Sequence, residues 1–564
     1  MKKVTRLIFP ILSVLLIAGT LYAQGNPHEL LIPPPTTSMT YINDFIAADV
    51  DGSGARLDPD RIYVLQRNSI YYCNTSIRNS GWVMRMKAQD GIGRKPIIFV
   101  LRNTTTGTTP GRIFEVRGNI WLKDIILDGI FEYDPSTIGN MQGALITATA
   151  QGFDIVCDGV IFTNSSGNHI RTDSAPRVVK LYNCIFANMG YLGTSNFGAG
   201  KALDLRAGSC DSLIVVNNTF VNAQDRIIRH YGSTANIKYM KFDHNTIVNA
   251  MSFHGTLSLG KVGKKVEITN NLFYDSFASG NDTDKTRQLE FTDSKEYDSR
   301  GLARMTWVIT EPNDSTQYTI KKNYYVVSSE GQAWFNKWAS AGVTGEGAPL
   351  TWAINKKLGA DSVNAFKKTS LTLTTIPRLM TAMMDWYRSP TGGNKTKNTP
   401  TAAWNASYDY DRKGFLFYTD SLRCTYSTSS VAYTGADKGF PVGDLNWYPA
   451  LKNLFDSGGA VGISDDPNMV PVEYSLSQNY PNPFNPTTVI SYSLPKASNV
   501  TIAVYNSIGQ EIALLVNNQM QGAGQHKISW NGKDAFGRAA ATGVYFYQLR
   551  TNEFISTKKM LLLK

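Results

Sequence analysis

The chain has 564 residues, 56 Lys and Arg against 45 Asp and Glu, and a formal charge of +11. That length allows several domains. The basic excess is scattered in short pairs such as Lys264-Lys265 and Lys367-Lys368, with no basic stripe interleaved with aromatics, so nucleic acid is not the expected partner. The five cysteines, Cys73, Cys157, Cys184, Cys210 and Cys424, are odd in number and match no metal spacing, which leaves no disulfide framework to read.

The N-terminus reads as a signal peptide over residues 1–23. Lys2, Lys3 and Arg6 form a basic start, residues 7–18 are apolar apart from Pro10 and Ser13, and Ala23 precedes Gln24 at a small-residue cleavage point. The apolar run is short of the ~20 residues of a spanning helix, and no later stretch is long enough to cross a membrane. No Cys follows it to accept a lipid. Residues 24–40, with Pro33-Pro34-Pro35-Thr36-Thr37, read as an extended linker.

From residue 41 the chain turns into short strands separated by Asn, Asp and Gly. A strand-like segment recurs as Arg112-Ile113-Phe114-Glu115-Val116, Ala144-Leu145-Ile146-Thr147, His169-Ile170-Arg171-Thr172, Ala202-Leu203-Asp204-Leu205-Arg206, Ile227-Ile228-Arg229-His230, Thr256-Leu257-Ser258-Leu259 and Gln288-Leu289-Glu290-Phe291. These starts lie roughly 24 to 34 residues apart, a solenoid spacing. A second motif closes most repeats: Asn183-Cys184-Ile185-Phe186, Asn217-Asn218-Thr219-Phe220, His244-Asn245-Thr246-Ile247, Asn270-Asn271-Leu272-Phe273 and, fainter, Lys322-Asn323-Tyr324-Tyr325. Asn tolerates a left-handed corner, and its amide can bond the next coil. Stacking such corners predicts an Asn ladder, with the following apolar residue turned inward.

The expected fold is therefore all-β, a right-handed parallel β-helix solenoid over residues 41–455. A propeller would want a fixed, longer period. Residues 331–460, with short helices predicted near 332–339 and 376–387 and a loop at 389–401, read as an elaborated cap over the last coil. Residues 456–473 read as a Gly/Asp/Pro linker. Residues 474–564 alternate in several strands broken by Asn506-Ser507-Ile508-Gly509 and Asn531-Gly532, which predicts a small immunoglobulin-like β-sandwich. Three prolines bar Tyr480-Pro481-Asn482-Pro483-Phe484-Asn485-Pro486 from a central strand.

This last module resembles the type A C-terminal sorting domain of type IX secretion cargo. The matching stretches are Asn479-Tyr480-Pro481-Asn482-Pro483-Phe484-Asn485-Pro486-Thr487-Thr488, Tyr492-Ser493-Leu494-Pro495, Gly543-Val544-Tyr545-Phe546-Tyr547 and Lys558-Lys559-Met560-Leu561-Leu562-Leu563-Lys564. The resemblance implies passage through the periplasm and outer membrane, the secretion machinery as a partner, and release or attachment at the outer surface.

The middle resembles the pectin-lyase-like β-helix superfamily, on Tyr63-Val64-Leu65, Lys95-Pro96-Ile97-Ile98 and Gly443-Asp444-Leu445-Asn446-Trp447-Tyr448-Pro449. The last of these usually reads Gly-Asp-Pro-Arg-Trp in the group and is taken as an end-cap; Leu445 and Asn446 depart from it. Many superfamily members are polyuronate lyases, so the resemblance implies an acidic polysaccharide as partner. The chain is expected to be a monomer.

A lyase needs a base for the proton alpha to a uronate carboxylate and a cation for the enolate-like intermediate. The expected outward positions are Arg171, Asp204, Arg206, Arg229, Ser258 and Glu290, either a groove for an acidic chain or a balanced surface charge ladder. His169 is expected beside them. Arg229-His230 is similar to the Arg-His-Gly segment of alginate and chondroitin B lyases, although Tyr231 precedes Gly232. Those enzymes carry a catalytic Lys about one coil earlier. Gly208-Ser209-Cys210 holds none there, and Lys201 reads as too far back. No complete catalytic set is visible, which leaves glycan binding, β-elimination and a structural or adhesive role open.

One cofactor candidate remains, a calcium ion (Ca2+). Asp49, Asp51, Ser53 and Asp60 fall at positions 1, 3, 5 and 12 of a calcium-type loop, with Gly54 at position 6. No helix pair is predicted to flank it, and an Asp/Gly turn reads equally well.

Overall fold

The computed structural model describes residues 26–36, 40–129, 142–190, 199–206, 208–230, 236–311, 313–388, 421–461, 474–522 and 524–563. The expected signal peptide, much of both linkers and the loop at 389–401 lie outside them. The described residues form two compact units, one reaching residue 432 and including 442–447, the other comprising 433–441 and everything from 448.

The first unit is a right-handed parallel β-helix. Each coil between the two ends gives one strand to each of three parallel sheets, in the chain order first, second, third. The first sheet runs from Glu29–Ile32 to Gln317–Lys321, the second from Ile70–Cys73 to Phe366–Lys368 and the third from Ile77–Arg78 to Ala348–Leu350, with 10, 10 and 9 strands. The sheets bury a continuous aliphatic and aromatic core. Phe162, Phe186 and Phe220 stack along it with centroids 4.6 and 5.0 Å apart. Below, the helix Ile42–Ala48 buries Ile42 and Ile46; above, the helix Trp352–Leu358 buries Ile354. Each terminal coil thereby keeps its apolar side from water. Helices Ser329–Trp338 and Thr381–Arg388 stand near the expected positions.

The first-to-second corner divides the work expected of a single Asn between two residues. The first residue takes the left-handed conformation: Asn183, Asn217, His244, Asn270 and Lys322 have φ between 51° and 60°. The next residue turns inward and forms the ladder. Asn218, Asn245, Asn271 and Asn323 are buried. Each Oδ1 accepts from the backbone N–H of the coil before it, at 2.8–3.2 Å. A second ladder, unpredicted, closes the second-sheet strands. Asn164 donates to Asp128, Asn188 to Asn164, Asn222 to Asn188 and Asn249 to Asn222, and all four asparagines are left-handed.

Two sequence expectations are corrected. Gln288-Leu289-Glu290-Phe291 is not a strand. Lys285–Gln288 is helical and Leu289–Ser294 is a 3-10 helix, and the third sheet resumes at Thr306–Ile309, which pairs with Leu257–Ser258. The Gly-Asp-Leu-Asn-Trp motif is not an end-cap. Asp444 accepts from Thr219 at 2.7 Å, its backbone N–H donates to Thr246 at 2.8 Å, and Trp447 donates to Thr219 at 2.8 Å. The motif therefore clips onto the flank of mid-solenoid coils. Gly443 has φ +90°, and a Cβ there would meet Thr246 Oγ1 at 2.5 Å.

The second unit contains a two-sheet antiparallel sandwich. Ser475–Leu476, Thr488–Leu494 and Gly524–Trp530 form one sheet; Ser498–Asn506, Glu511–Gln521, Gly543–Arg550 and Ile555–Leu562 form the other. Trp530, Tyr492, Tyr547 and Ile502 fill its core. The Pro-rich motif is stapled to the C-terminal strand: Asn482 Oδ1 accepts from Leu561 N at 2.8 Å, and Phe484 N donates to Leu561 O at 3.0 Å. Among the described residues no helix is long and apolar enough to cross a membrane.

Candidate functional site

The outer face of the third sheet carries one registered column: Arg78, Glu115, Thr147, Arg171, Asp204, Arg229 and Ser258. Neighbouring members are one strand spacing apart, about 4.8 Å. The column changes character along its length. At its start Arg78 and Arg117 pair with Glu115, Arg112 reaches the same carboxylate at 3.9 Å, and all three arginines keep at least a third of their side chains exposed. Arg171 is 35 % exposed and bonds Asp173 at 2.8 Å. Arg206, just beyond its strand, is also exposed.

Further along, the charges are sealed. Arg229 grips Asp204 with both ends of its guanidinium, at 2.6 and 2.7 Å, and Asn168 donates to the same carboxylate at 3.1 Å. Asp204 is 2 % exposed.

A second cluster occupies the second-to-third corner of three successive coils. Lys201 Nζ lies 3.1 Å from Asp225 Oδ2, and Arg226 Nε lies 3.0 Å from the same oxygen. His254 Nδ1 lies 2.7 Å from Asp225 Oδ1, and its Nε2 faces Glu290 at 3.4 Å. Glu290 arrives from the 3-10 helix that replaces the expected strand. Lys201 and Asp225 are fully buried. Burial pushes the Lys201 ammonium down to about 8; Arg229 and Arg226 add to the shift and Asp225 opposes it. Burial works against the Asp225 carboxylate too, but Arg226, His254 and Lys201 hold it well below the usual range. The corner packs tightly because Gly200 (φ +87°) leaves no room for a side chain: a Cβ would meet Met189 O at 2.6 Å and Gln224 Cβ at 2.7 Å.

Sequence reasoning set Lys201 aside as too distant. Its strand, Lys201–Leu205, pairs directly with Ile228–His230, so Lys201 stands one coil before Arg229. The long segment between strands misled the count. Asp225 and His254 were missed because each sits at a corner outside the recurring strand motif. His230 was expected to be functional, but Leu259 O and Gly208 O lie 3.2 and 3.1 Å from its two ring nitrogens, and the side chain is buried. Burial lowers its pKa, while the two carbonyl contacts oppose that shift.

His169 was expected outside and lies inside. It packs in stacked geometry on Phe162 and Phe186, at 6.0 and 5.9 Å. Third-sheet strands open with two consecutive inward residues, as in Leu145-Ile146 and Ile227-Ile228, before alternation begins. His169-Ile170 occupies that pair, so strict parity fails there.

The calcium-type residues do not converge. Asp49 accepts from Arg61 Nε at 3.0 Å and from Tyr63 Oη at 2.9 Å. Asp51 accepts from Ser53 and Ala55 within its own turn, and Asp60 pairs with Arg85. Among the described residues no group of three or more His, Cys, Asp or Glu side chains is placed to hold a metal ion.

A family model, "Secretion system C-terminal sorting domain", matches residues 478–563. No curated protein matches the chain. Among solved structures, FlgD from P. aeruginosa is 29 % identical over 13 % of this chain and 57 % of its own, with a TM-score of 0.11. PorZ, a surface component of the type IX secretion system of Porphyromonas gingivalis, is 16 % identical over 17 % of this chain and 13 % of its own (TM-score 0.13). Dimeric latent PorU from the same organism is 17 % identical over 19 % and 10 % (TM-score 0.14). The chain thus spans 57 % or less of each of these proteins. With the motif-bearing sandwich at its C-terminus and three parallel sheets before it, this chain is a right-handed parallel β-helix protein that carries a type IX secretion C-terminal sorting domain.

Proposed function

We propose that this exported protein binds an acidic polysaccharide along the outer face of its third sheet. The observation that carries the reading is the exposed arginine set Arg78, Arg112, Arg117, Arg171 and Arg206; among the described residues Glu115 and Asp173 pair with four of them, and Asp204, the next acid in the column, is taken up by Arg229. Arg78 and Arg171 are three strand spacings apart in one column, roughly 14 Å, which suits an extended polyanion rather than a small ion. The closed pairs farther along support binding over catalysis, because Asp204 and Arg229 neutralise each other. The double variant Arg171→Glu, Arg206→Glu is expected to weaken polyuronate binding at least roughly tenfold and to flatten its salt dependence. Unchanged affinity would sink the reading.

A second reading, β-elimination on the same polymer, draws on Lys201. Burial lowers the Lys201 ammonium to about 8, closer than an ordinary lysine to what a base for the proton alpha to a uronate carboxylate needs. The wild-type protein would then release unsaturated uronate ends from a polyuronate, and Lys201→Met would not. No unsaturated product from the wild type removes it.

A further inference from the structure

The first sheet has an outer face of its own, away from the arginine column. Its strands Ile120–Lys123, Asp154–Asp158 and Val178–Tyr182 alternate between buried and half-buried residues, so every second side chain points outward. Register gathers six of these into a block. Trp121, Val156 and Lys180 form one column, and Lys123, Asp158 and Tyr182 the other. Neighbours within a column are one strand spacing apart, about 4.8 Å, and the columns are two residues apart along the strand, roughly 7 Å. The two aromatics therefore stand at opposite corners of the block, and the two lysines at the other corners.

Charge singles this block out. Elsewhere on the same face Lys87 pairs with Glu29 and Asp90, Lys241 with Asp243 and Lys265 with Glu267. Among the described residues Lys123 and Lys180 pair with no carboxylate. Asp158, the one acid in the block, accepts from Asn183 Nδ2 at 2.6 Å. Lys180 has Val156 and Ile214 as its column neighbours, so its charge stands amid apolar groups. The aromatics are equally uncommitted. Among the described residues no cation or second ring stacks on Trp121 or Tyr182, and neither the indole N–H nor the phenol O–H has a hydrogen-bond partner. Neither residue packs on the buried core. Aromatics with a polar tip are usually paired when they serve the interior; these two are held in a flat sheet with face and tip unassigned.

We propose that this block is a second binding site for an acidic oligosaccharide, the C–H faces of two pyranose rings lying on Trp121 and Tyr182 and their carboxylates pairing with Lys123 and Lys180. The planar apolar corners select sugar rings, and the uncountered lysines select acidic ones. The ligand class rests on the acidic-polysaccharide reading above, but the site lies on another sheet, so either can fail alone.

The test is calorimetric titration of the full chain with short oligogalacturonates and with neutral oligosaccharides of equal length. The double variant Arg171→Glu, Arg206→Glu serves as the background, because it removes the third-sheet contribution. In it, weaker binding of the acidic ligand is expected to persist. Adding Trp121→Ala should reduce that residual affinity roughly tenfold, and adding Lys123→Gln with Lys180→Gln at least as much. Thermal melts of each variant separate misfolding from lost contact. If the background binds no acidic ligand, the first-sheet site is overturned while the arginine face stands. If residual binding survives both the Trp121 and the lysine changes intact, the first-sheet site is likewise overturned. If the background binds as the wild type does and the lysine changes abolish it, the first-sheet site stands and the arginine face falls. If neutral ligand binds as tightly and only Trp121→Ala weakens it, the acidic selectivity of the block is overturned. A wild type that binds neither ligand removes both proposals.

Discussion

Asp225 is the residue on which the corner cluster depends. One buried carboxylate faces Lys201, Arg226 and His254, so its removal strands cations in a dry interior. Asp225→Ala is expected to destabilise the β-helix by about 3–5 kcal/mol, and Lys201→Met by clearly less, since Arg226 and His254 still satisfy the acid. Urea denaturation at neutral pH measures both. The same charges fix the response to acid. The carboxylates of Asp225 and Asp243 are held below the ordinary Asp value; burial opposes this, but Arg226, His254 and Lys201 overcome it for the first, and His244 and Lys241 with a Thr269 hydrogen bond for the second. Their stabilisation is present above the unfolded Asp pKa and is lost as pH falls through the folded one. The urea midpoint should therefore drop steeply from about pH 4 downward, and Asp243→Asn should flatten that slope. Lys201 acts in the other direction: its folded pKa is depressed, so its contribution improves as pH rises from about 8 toward the unfolded value. None of this was legible in the sequence, because Lys201, Asp225 and His254 are separated along the chain and meet only when coils stack.

At the scale of elements, the Asn ladder ties each coil to the next. Asn245 donates to Val215 O and Asn271 Oδ1 and accepts from Asn218 N and Nδ2, all at 3.0 Å. Asn245→Ala would leave an N–H and a C=O unsatisfied in the core, at a cost of about 2–4 kcal/mol. Lys322→Gly relieves a left-handed Lys at φ 56° and should be neutral or stabilising by up to ~1 kcal/mol. Urea midpoints of the two variants should move in opposite directions or leave Lys322→Gly in place. The Asn-Asn pairs were readable as corners, since few residues accept both a left-handed backbone and a buried amide. The second ladder left a signal too, an Asn five residues after the corners at Asn183, Asn217 and His244. The 3-10 helix at Leu289–Ser294 was not readable. Leu289-Glu290-Phe291 alternates like a strand, and the contact of Glu290 with His254 joins segments far apart in the sequence.

Over the whole molecule, export depends on a module with its own core. Deleting residues 521–564 removes Gly524–Trp530, Gly543–Arg550 and Ile555–Leu562, with Trp530, Tyr547 and the partner of Asn482. Each sheet of the sandwich is cut to a two-stranded remnant, so the truncated protein is expected to remain in the periplasm, as fractionation and immunoblotting would report. Secretion at the normal level would contradict the sorting role. The sequence by itself determined the all-β class, the solenoid, the corners and the sorting module. These rest on local periodicity, turn chemistry and contiguous motifs, which are written along the chain. The tertiary structure decided which charges meet, that His169 and His230 are interior, that Lys201 stands one coil before Arg229, and that Asp444 clips the solenoid's flank. Those facts depend on the length of each excursion between strands, which sets what stacks on what and is not encoded in any local pattern.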